Sequence, residues 1–366
     1  MSQSVLHPTQ RPHCITFNSL TEDHHAIVGG KCASLGIMSQ AGLPVPPGFA
    51  VTTAAYACAR AEASDYDALT EMLRQVPIGD QIALAEAGAK AREMVGRWQI
   101  PADVQQSIRE MYAALEERCG MKDVPVAVRS SATAEDTPDA SFAGEHDTYL
   151  WVRGADEVLE KVRQCWVSLF TDRAIAYREE MGYDHPQVEM AVAVQKMVHP
   201  KSAGVAFTLD PTNGDRSSIC IDSAWGFGEG VVSGDVTPDN FLVDKVMWHI
   251  GRRTISPKAH AYLLGDDRID RVELEEDRAK SPSLTDPEIV AIARLARAAE
   301  KHYQCPQDIE WAVDHDLPEG ENVVLLQARP ETVWSKKSTA VGAQKDMMTS
   351  IVDTLVNPLY SRKESS

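Results

Sequence analysis

Two runs of residues carry the chemistry that can be read most directly from this chain: Asp308-Ile309-Glu310-Trp311-Ala312-Val313 and Val323-Val324-Leu325-Leu326-Gln327-Ala328-Arg329-Pro330. Each alternates polar and apolar residues over part of its length, the period of a half-buried strand. Asp308 and Glu310 share one face of the first run, and Gln327 and Arg329 share a face of the second. Neighbouring strands could therefore aim carboxylates, an amide and a guanidinium into one cleft. Oxygen ligands suit Mg²⁺, which takes one or two carboxylates together with phosphate oxygens, and arginine supplies a planar fork for the same phosphates. Such a surface is the floor of a nucleoside triphosphate site. Any one of these residues alone is better explained by a solvent-facing edge strand; their joint occurrence favours the cleft.

Other segments supply candidate phosphate contacts. Gly29-Gly30-Lys31 could bring backbone close to a phosphate and set a flexible cation beside it. It is not a Walker A loop, because position 25 is His and position 32 is Cys. Taken alone, it reads as a glycine turn before a helix. Arg129-Ser130-Ser131-Ala132-Thr133-Ala134-Glu135-Asp136 follows an apolar strand and gathers a guanidinium, hydroxyls and carboxylates. Ser141-Phe142-Ala143-Gly144-Glu145-His146-Asp147-Thr148 follows it as a loop that could cover phosphates with backbone N–H groups. Trp225-Gly226-Phe227-Gly228-Glu229-Gly230 fails the dinucleotide pattern G-x-G-x-x-G, since position 231 is Val, and G-x-S-x-G is absent. A Rossmann site and a serine hydrolase are thereby disfavoured. The adjacent His24 and His25 read as surface residues rather than metal ligands.

These residues need a scaffold of helices and strands to meet. The spacing after Gly30 predicts a helix, Leu43-Pro44-Val45-Pro46-Pro47-Gly48 a turn, and Phe49 to Thr53 an extended segment. From about Ala54 to Arg118 the chain is rich in Ala, Glu, Leu and Arg and predicts several helices; a strand follows at Pro125 to Val128. A hairpin-like stretch at Asp147 to Val152 precedes helical periodicity from Ala155 through Glu180. From Val188 to Val246 the chain is β-rich. Asp266 to Lys280 reads as a loop-rich connection, and Asp286 to Tyr303 as a helix. An α-rich first part and a β-rich second predict an α+β architecture of two lobes around a cleft. After Trp334 a polar linker leads to an apolar stripe, Met347, Met348, Ile351, Val352, Leu355 and Val356, which reads either as a helix packed on its own domain or as one that docks a partner.

With 366 residues, 43% apolar and 25% charged, the chain has the composition of a globular protein large enough for two or three packed lobes. A formal charge of -18 opposes broad attraction to nucleic acid or anionic membrane, so any phosphate site must be locally basic. Seven cysteines without a C-x-x-C pair argue against a disulfide framework or zinc cluster and point to a reducing cytoplasm. Neither a membrane span of ~18 to 20 apolar residues nor a signal peptide is expected.

In order along the chain, the motifs resemble the ATP-grasp domain of the phosphoenolpyruvate synthase and pyruvate phosphate dikinase family. They are Val28-Gly29-Gly30-Lys31 with Ala33-Ser34-Leu35-Gly36, Gly42 to Phe49, Val126 to Asp136, Ser141-Phe142-Ala143-Gly144, Gln195-Lys196-Met197-Val198, Phe207-Thr208-Leu209-Asp210-Pro211 and the two closing runs. The resemblance covers about residue 15 to about residue 334. It implies an ATP-grasp fold with an N-terminal lobe over 15–187, a C-terminal lobe over 188–334, and a linker with a possible docking helix over 335–366. It implies that Lys31 and Arg129 hold the triphosphate, that the loop at Gly144 closes over it, and that Arg329 steadies the transferring phosphates. Gln195, Lys196, Met197 and Val198 would form the hinge against adenine, largely through backbone groups. Thr208 and Asp308 are further nucleotide contacts, and Glu310 and Gln327 would ligate Mg²⁺ or Mn²⁺.

Members of the family continue into a swivelling domain with a phosphorylated histidine in a T-x-H-x-A setting and then an acceptor-binding barrel; neither is found in these 366 residues. The chain therefore resembles the ATP-using part of a split enzyme. Phenylphosphate synthase is similar to phosphoenolpyruvate synthase and keeps this part as a separate subunit. The expectation is an ATP-dependent phosphotransferase that acts with a histidine-bearing subunit in trans. The β-phosphate goes to that histidine with release of AMP and phosphate, and phenol is the final acceptor. Pyruvate or an antibiotic as acceptor, or an ATP-binding regulatory subunit without turnover, are the rival readings.

Overall fold

The computed structural model describes residues 11–331 and Trp334, apart from 78, 134–135, 138–139, 142–147, 183–187 and 267. Gly144 and the tail beyond Trp334 lie outside the described residues. The first part of the chain runs β1 (Cys14–Thr16), α1 (His25–Gln40), β2 (Gly48–Val51), α2 (Thr53–Glu62), α3 (Tyr66–Arg74), α4 (Gln81–Gly96), α5 (Ala102–Cys119), β3 (Val126–Ala132), β4 (Asp136–Thr137), β5 (Ala140–Ser141), β6 (Thr148–Val152), α6 (Ala155–Ser168), α7 (Asp172–Glu180) and β7 (Met190–Lys196). The second runs β8 (Pro200–Phe207), β9 (Ser218–Trp225), α8 (Glu229–Val232), β10 (Asp239–Asp244), β11 (Ile250–Thr254), β12 (His260–Leu264), β13 (Ile269–Glu273), α9 (Glu276–Lys280), α10 (Asp286–Tyr303), β14 (Gln307–Asp314) and β15 (Val323–Pro330).

The first lobe is an antiparallel sheet in the order β1-β2-β7-β3-β6. Its two faces are set by residue size at period 2. Val126, Val128, Met190, Val192 and Val194 point into a core shared with the helices, where Tyr56, Trp98, Tyr112 and Trp166 are buried. The opposite face carries Ala50 and Ala193, small enough for α1 to lie directly on the sheet; both belong to the core that α1 shares with the second lobe.

β7 corrects the expected division at 187/188. Its partners are β2 and β3, so it is the central strand of the first lobe, and the chain crosses between lobes only at Met197 to His199. The second lobe is an antiparallel sheet in the order β11-β10-β9-β8-β14-β15. α10 covers one face through Ile289, Ile292, Ala293 and Ala296, packed on residues such as Ile221, Phe241, Ile309 and Trp311. Its start is fixed by a capping box in which Thr285 and Glu288 satisfy each other's backbone amides, with a proline in the first turn. The stretch expected to be a loop-rich connection instead holds β13 and α9, and β12 and β13 form a separate antiparallel pair. The α+β architecture of two lobes is the observed one. Among the described residues, no helix is long and apolar enough to cross a membrane.

Candidate functional site

β14 and β15 bring the first-named residues together. In their antiparallel register Asp308 stands opposite Arg329 and Glu310 opposite Gln327, so all four side chains share one face of the sheet. This is the face away from α10. On it β8 places Phe207 opposite Asp308 and Val205 opposite Glu310. A bulge follows Glu310, where Trp311 pairs with Leu325 and Leu326 is left over. Towards the crossover the same face turns apolar: Ala203, Ala312 and Val324 pack with Val198, and Leu326 lies against them. The surface is thus graded along the strands, apolar beside the crossover and charged several residues away.

Asp308 anchors the charged end. The Arg329 guanidinium reaches its Oδ2 through Nε at 2.8 Å and Nη2 at 2.7 Å. Burial pushes the Asp308 carboxyl above its ordinary value of 3.8, while Arg329 pulls it down and Glu310 and Glu331 push it up again. The Asp308 side chain is only 13% exposed against 51% for Arg329, so the fork is held from beneath and presented outward.

The first lobe delivers its cations to the same place. Within α1 the helix is broken at Gly29, with φ 67° and ψ 171°, and continues as regular helix through Lys31. A Cβ at Gly29 would stand 2.3 Å from Ser131 O, so only glycine lets the start of α1 lie this close to β3. Ser131 completes the seat: its hydroxyl donates to Val28 O at 2.8 Å and accepts from the amide of Cys32 at 3.2 Å. Lys31 Nζ consequently reaches Ser130 O at 3.2 Å, next in sequence to Arg129. Arg129 Nη1 lies 3.9 Å from Glu310 Oε2, across the gap between the two sheets. Its Nε is buried without a hydrogen-bond partner. A guanidinium with a buried unused N–H, and a carboxylate just beyond bonding distance, is poised for an added acceptor, which a polyphosphate supplies.

The remaining predicted residues are placed less uniformly. Gln195 is 2% exposed and its amide donates to Pro46 O at 3.4 Å. The backbone amides of Lys196 and Met197 donate to Pro47 O and Pro125 O, both at 2.8 Å, which narrows any backbone contact with a base to other groups of this crossover. Lys196 falls on the helical side of β7. Its ammonium donates to Met197 O at 3.3 Å, and its charge acts on Cys119 at the end of α5, a thiol that burial pushes up and Lys196 pulls down. Thr208 is a correction. It is fully buried, its hydroxyl accepts the amide of Gln307 at 2.7 Å and its carbonyl accepts Lys245 Nζ, so it fastens β8 to β14 on the side of α10 rather than facing the cleft.

One contributor escaped the sequence reading. Phe227, from the glycine-rich loop set aside as failing the dinucleotide pattern, packs with Met197 and Ala127 beside the crossover, edge-on to Trp151 at 6.2 Å between ring centroids. Gly228 of that loop lies near Ala203, where a Cβ would sit 3.6 Å from the alanine methyl. Glycine density between a strand and a short helix was the available signal.

The donor set suits a hard cation. Glu310 offers a carboxylate and Gln327, opposite it, an amide oxygen. Among the described residues no three His, Cys, Asp or Glu side chains converge into a self-sufficient metal cage, so an ion here would draw part of its shell from phosphate oxygens and water.

Comparison with known proteins identifies the family. Residues 25–350 match the pyruvate phosphate dikinase AMP/ATP-binding domain family. A probable phosphoenolpyruvate synthase of Staphylothermus marinus is 41% identical over 92% of this chain and 43% of its own length. A rifampicin phosphotransferase of a Streptomyces species is 44% identical over 84% of this chain and 34% of its own. The chain thus spans less than half the length of either relative. A solved D-alanyl-alanine synthetase A from Vibrio cholerae overlaps 69% of this chain and 62% of its own at 14% identity, with a TM-score of 0.21, too low to carry an argument. The length of the family match, together with identity above two fifths to a relative along nearly the whole chain, makes this protein a member of the pyruvate phosphate dikinase AMP/ATP-binding domain family.

Proposed function

We propose that the chain binds MgATP or MnATP between its lobes and presents the β-phosphate to a histidine on a partner subunit. The transfer breaks the bond between the α- and β-phosphates and forms a phosphohistidine. AMP leaves, and the γ-phosphate is released to water as inorganic phosphate. The observation that carries this reading is the approach of Arg129 to Glu310 across the gap, with Lys31 beside the one and Gln327 opposite the other. Phosphoryl transfer needs alignment and charge neutralisation more than covalent chemistry from the enzyme, and these groups supply both. The apolar end at Val198, Ala203, Ala312 and Val324 suits a purine, leaving the triphosphate to run towards Arg129, Asp308 and Arg329. Glu310 and Gln327 would hold the metal, which neutralises phosphate charge when bound. Among the described histidines, His13 contacts Cys58, His199 contacts Asp316 and His260 contacts Asp235; in this reading the acceptor histidine is supplied in trans.

The final acceptor in this reading is phenol, as in phenylphosphate synthase. The names of the relatives favour a second acceptor class, pyruvate or an antibiotic, with the same transfer. All seven cysteines are free thiols, in keeping with a reducing cytoplasm as the site of action. The test is to incubate the full chain with ATP labelled in the adenine and β-phosphate, with and without a histidine-bearing subunit of the phenylphosphate synthase type. AMP and a labelled partner, formed only when both proteins are present, support the proposal. ADP as product, or no turnover, overturns it. Adding phenol, pyruvate or rifampicin then separates the acceptors by which one takes the label.

A further inference from the structure

Lys31 sits on α1, whereas Gln327 and Arg329 sit on β15, the edge strand of the other sheet. Their separation is fixed by more than packing. One helical turn beyond Lys31, Ser34 Oγ lies 2.8 Å from Ala328 O, the carbonyl between Gln327 and Arg329. Tyr303 OH, at the end of α10, lies 3.1 Å from the same Oγ. A carbonyl only accepts, so Ser34 donates to Ala328, and the Tyr303 hydroxyl holds Ser34 in turn, lying 3.1 Å from its Oγ and 3.4 Å from its carbonyl oxygen, to which it donates; the contacts form one relay, Tyr303 to Ser34 to Ala328. An edge strand leaves a row of backbone groups without ladder partners, and this relay takes hold of β15 at the residue between its two active-face side chains.

From these contacts we infer that Ser34 and Tyr303 are positioning residues for the triphosphate. They tie the helix of Lys31 to the strand of Gln327 and Arg329, so that cations from both lobes meet the phosphates at a fixed spacing. The other end of the tie is the seat of Val28 and Cys32 on Ser131, which joins α1 to the strand of Arg129. The inference rests on the reading of Lys31, Arg129 and Arg329 as the phosphate grip. Ser34 and Tyr303 themselves touch no phosphate in this arrangement; they act through β15 and α1.

ATP and AMP distinguish this role from a merely structural one, because AMP lacks the β- and γ-phosphates that the tie serves. Binding of each nucleotide with Mg²⁺ is measured by calorimetry on the full chain for the parent, Ser34→Ala, Tyr303→Phe and Arg329→Ala. Each of the first two is expected to weaken ATP about fivefold, the equivalent of one net hydrogen bond, while AMP affinity stays unchanged. Equal losses for ATP and AMP, or no loss for either, overturn the inference. Tyr303→Phe removes one oxygen and keeps the ring, so it still reports if Ser34→Ala does not fold. Arg329→Ala separates the two layers of argument. If it leaves ATP affinity unchanged, the phosphate grip itself fails; if it weakens ATP while the relay variants do not, the grip stands and the positioning role falls.

Discussion

Replacing Gly29 by alanine should damage both stability and nucleotide binding, by an amount that the structure lets one work out. Gly29 holds φ 67° and ψ 171°, a region essentially reserved for glycine, and forcing an L residue into it costs on the order of 1–3 kcal/mol. The new Cβ would also stand 2.3 Å from Ser131 O and 2.7 Å from both its carbonyl carbon and its Oγ. That backbone has little room to retreat, because Ser131 is paired to Ala191 of β7, the central strand of its sheet. Overpacking against it adds on the order of 1–3 kcal/mol. Gly29→Ala should therefore lower unfolding stability by about 2 to 6 kcal/mol, or else shift the start of α1 and carry Lys31 off Ser130. Gly42→Ala is the control: φ is 73° there, but nothing lies within 4 Å of the added methyl, so only a conformational cost of about 1–2 kcal/mol remains. Urea unfolding followed by circular dichroism, with ATP binding on the same samples, gives both quantities. A Gly29→Ala protein as stable as Gly42→Ala, with ATP affinity intact, would refute the claim that close approach of α1 to β3 sets the position of Lys31.

Three further outcomes follow from the same contacts. Arg129→Met should weaken ATP ten- to a hundredfold, the loss of charge-assisted hydrogen bonds worth about 1.5–3 kcal/mol, and leave adenosine binding unchanged; calorimetry that finds ATP affinity preserved removes Arg129 from the site. Lys258 and Asp239 form a pair 2.5 Å apart in which both side chains are fully buried. Lys258→Met strands the carboxylate and should cost about 3–5 kcal/mol in urea unfolding; a loss under about 1 kcal/mol would show that the serines around Asp239 suffice. Asp308 has its folded pKa raised above 3.8, chiefly by burial. The stability this group contributes is full below 3.8 and is lost as pH rises through the folded value, since in that window the folded state holds more protons than the unfolded. Unfolding midpoints measured across the acid range should show a decline that Asp308→Asn abolishes; identical profiles for the two proteins would contradict the assignment.

The closing strands were legible because each carries its own polarity pattern, and antiparallel pairing of Asp308 with Arg329 then forces Glu310 opposite Gln327. β7 was misassigned because it is apolar on both faces: Met190, Val192 and Val194 point to the helices while Ala191 and Ala193 are buried on the other side. Nothing within such a run says which sheet it joins. β11 and β13 were missed for the opposite reason, being largely exposed and polar, so that they lack the alternation a half-buried strand shows. Thr208 was placed by its motif, but its parity with Ala206 already put it on the buried face, while Val205 and Phe207 took the open one.

That parity also says what the cleft selects. On one face, running from the crossover outward, β14 passes from small and apolar to charged through Ala312, Glu310 and Asp308, while beside it β8 stays apolar and grows bulkier through Ala203, Val205 and Phe207. On the proposed function this gradient would orient the donor, with base at one end and phosphates at the other. On the proposed function a chain built this way can serve any acceptor that meets the phosphate end, and relatives named for different products are 41% and 44% identical to it across this region. If the proposed function holds, acceptor identity lies in whatever approaches Arg329 and Glu310 from outside, and exchanging the partner should change the acceptor while leaving ATP affinity where it was; an unchanged acceptor would count against that reading.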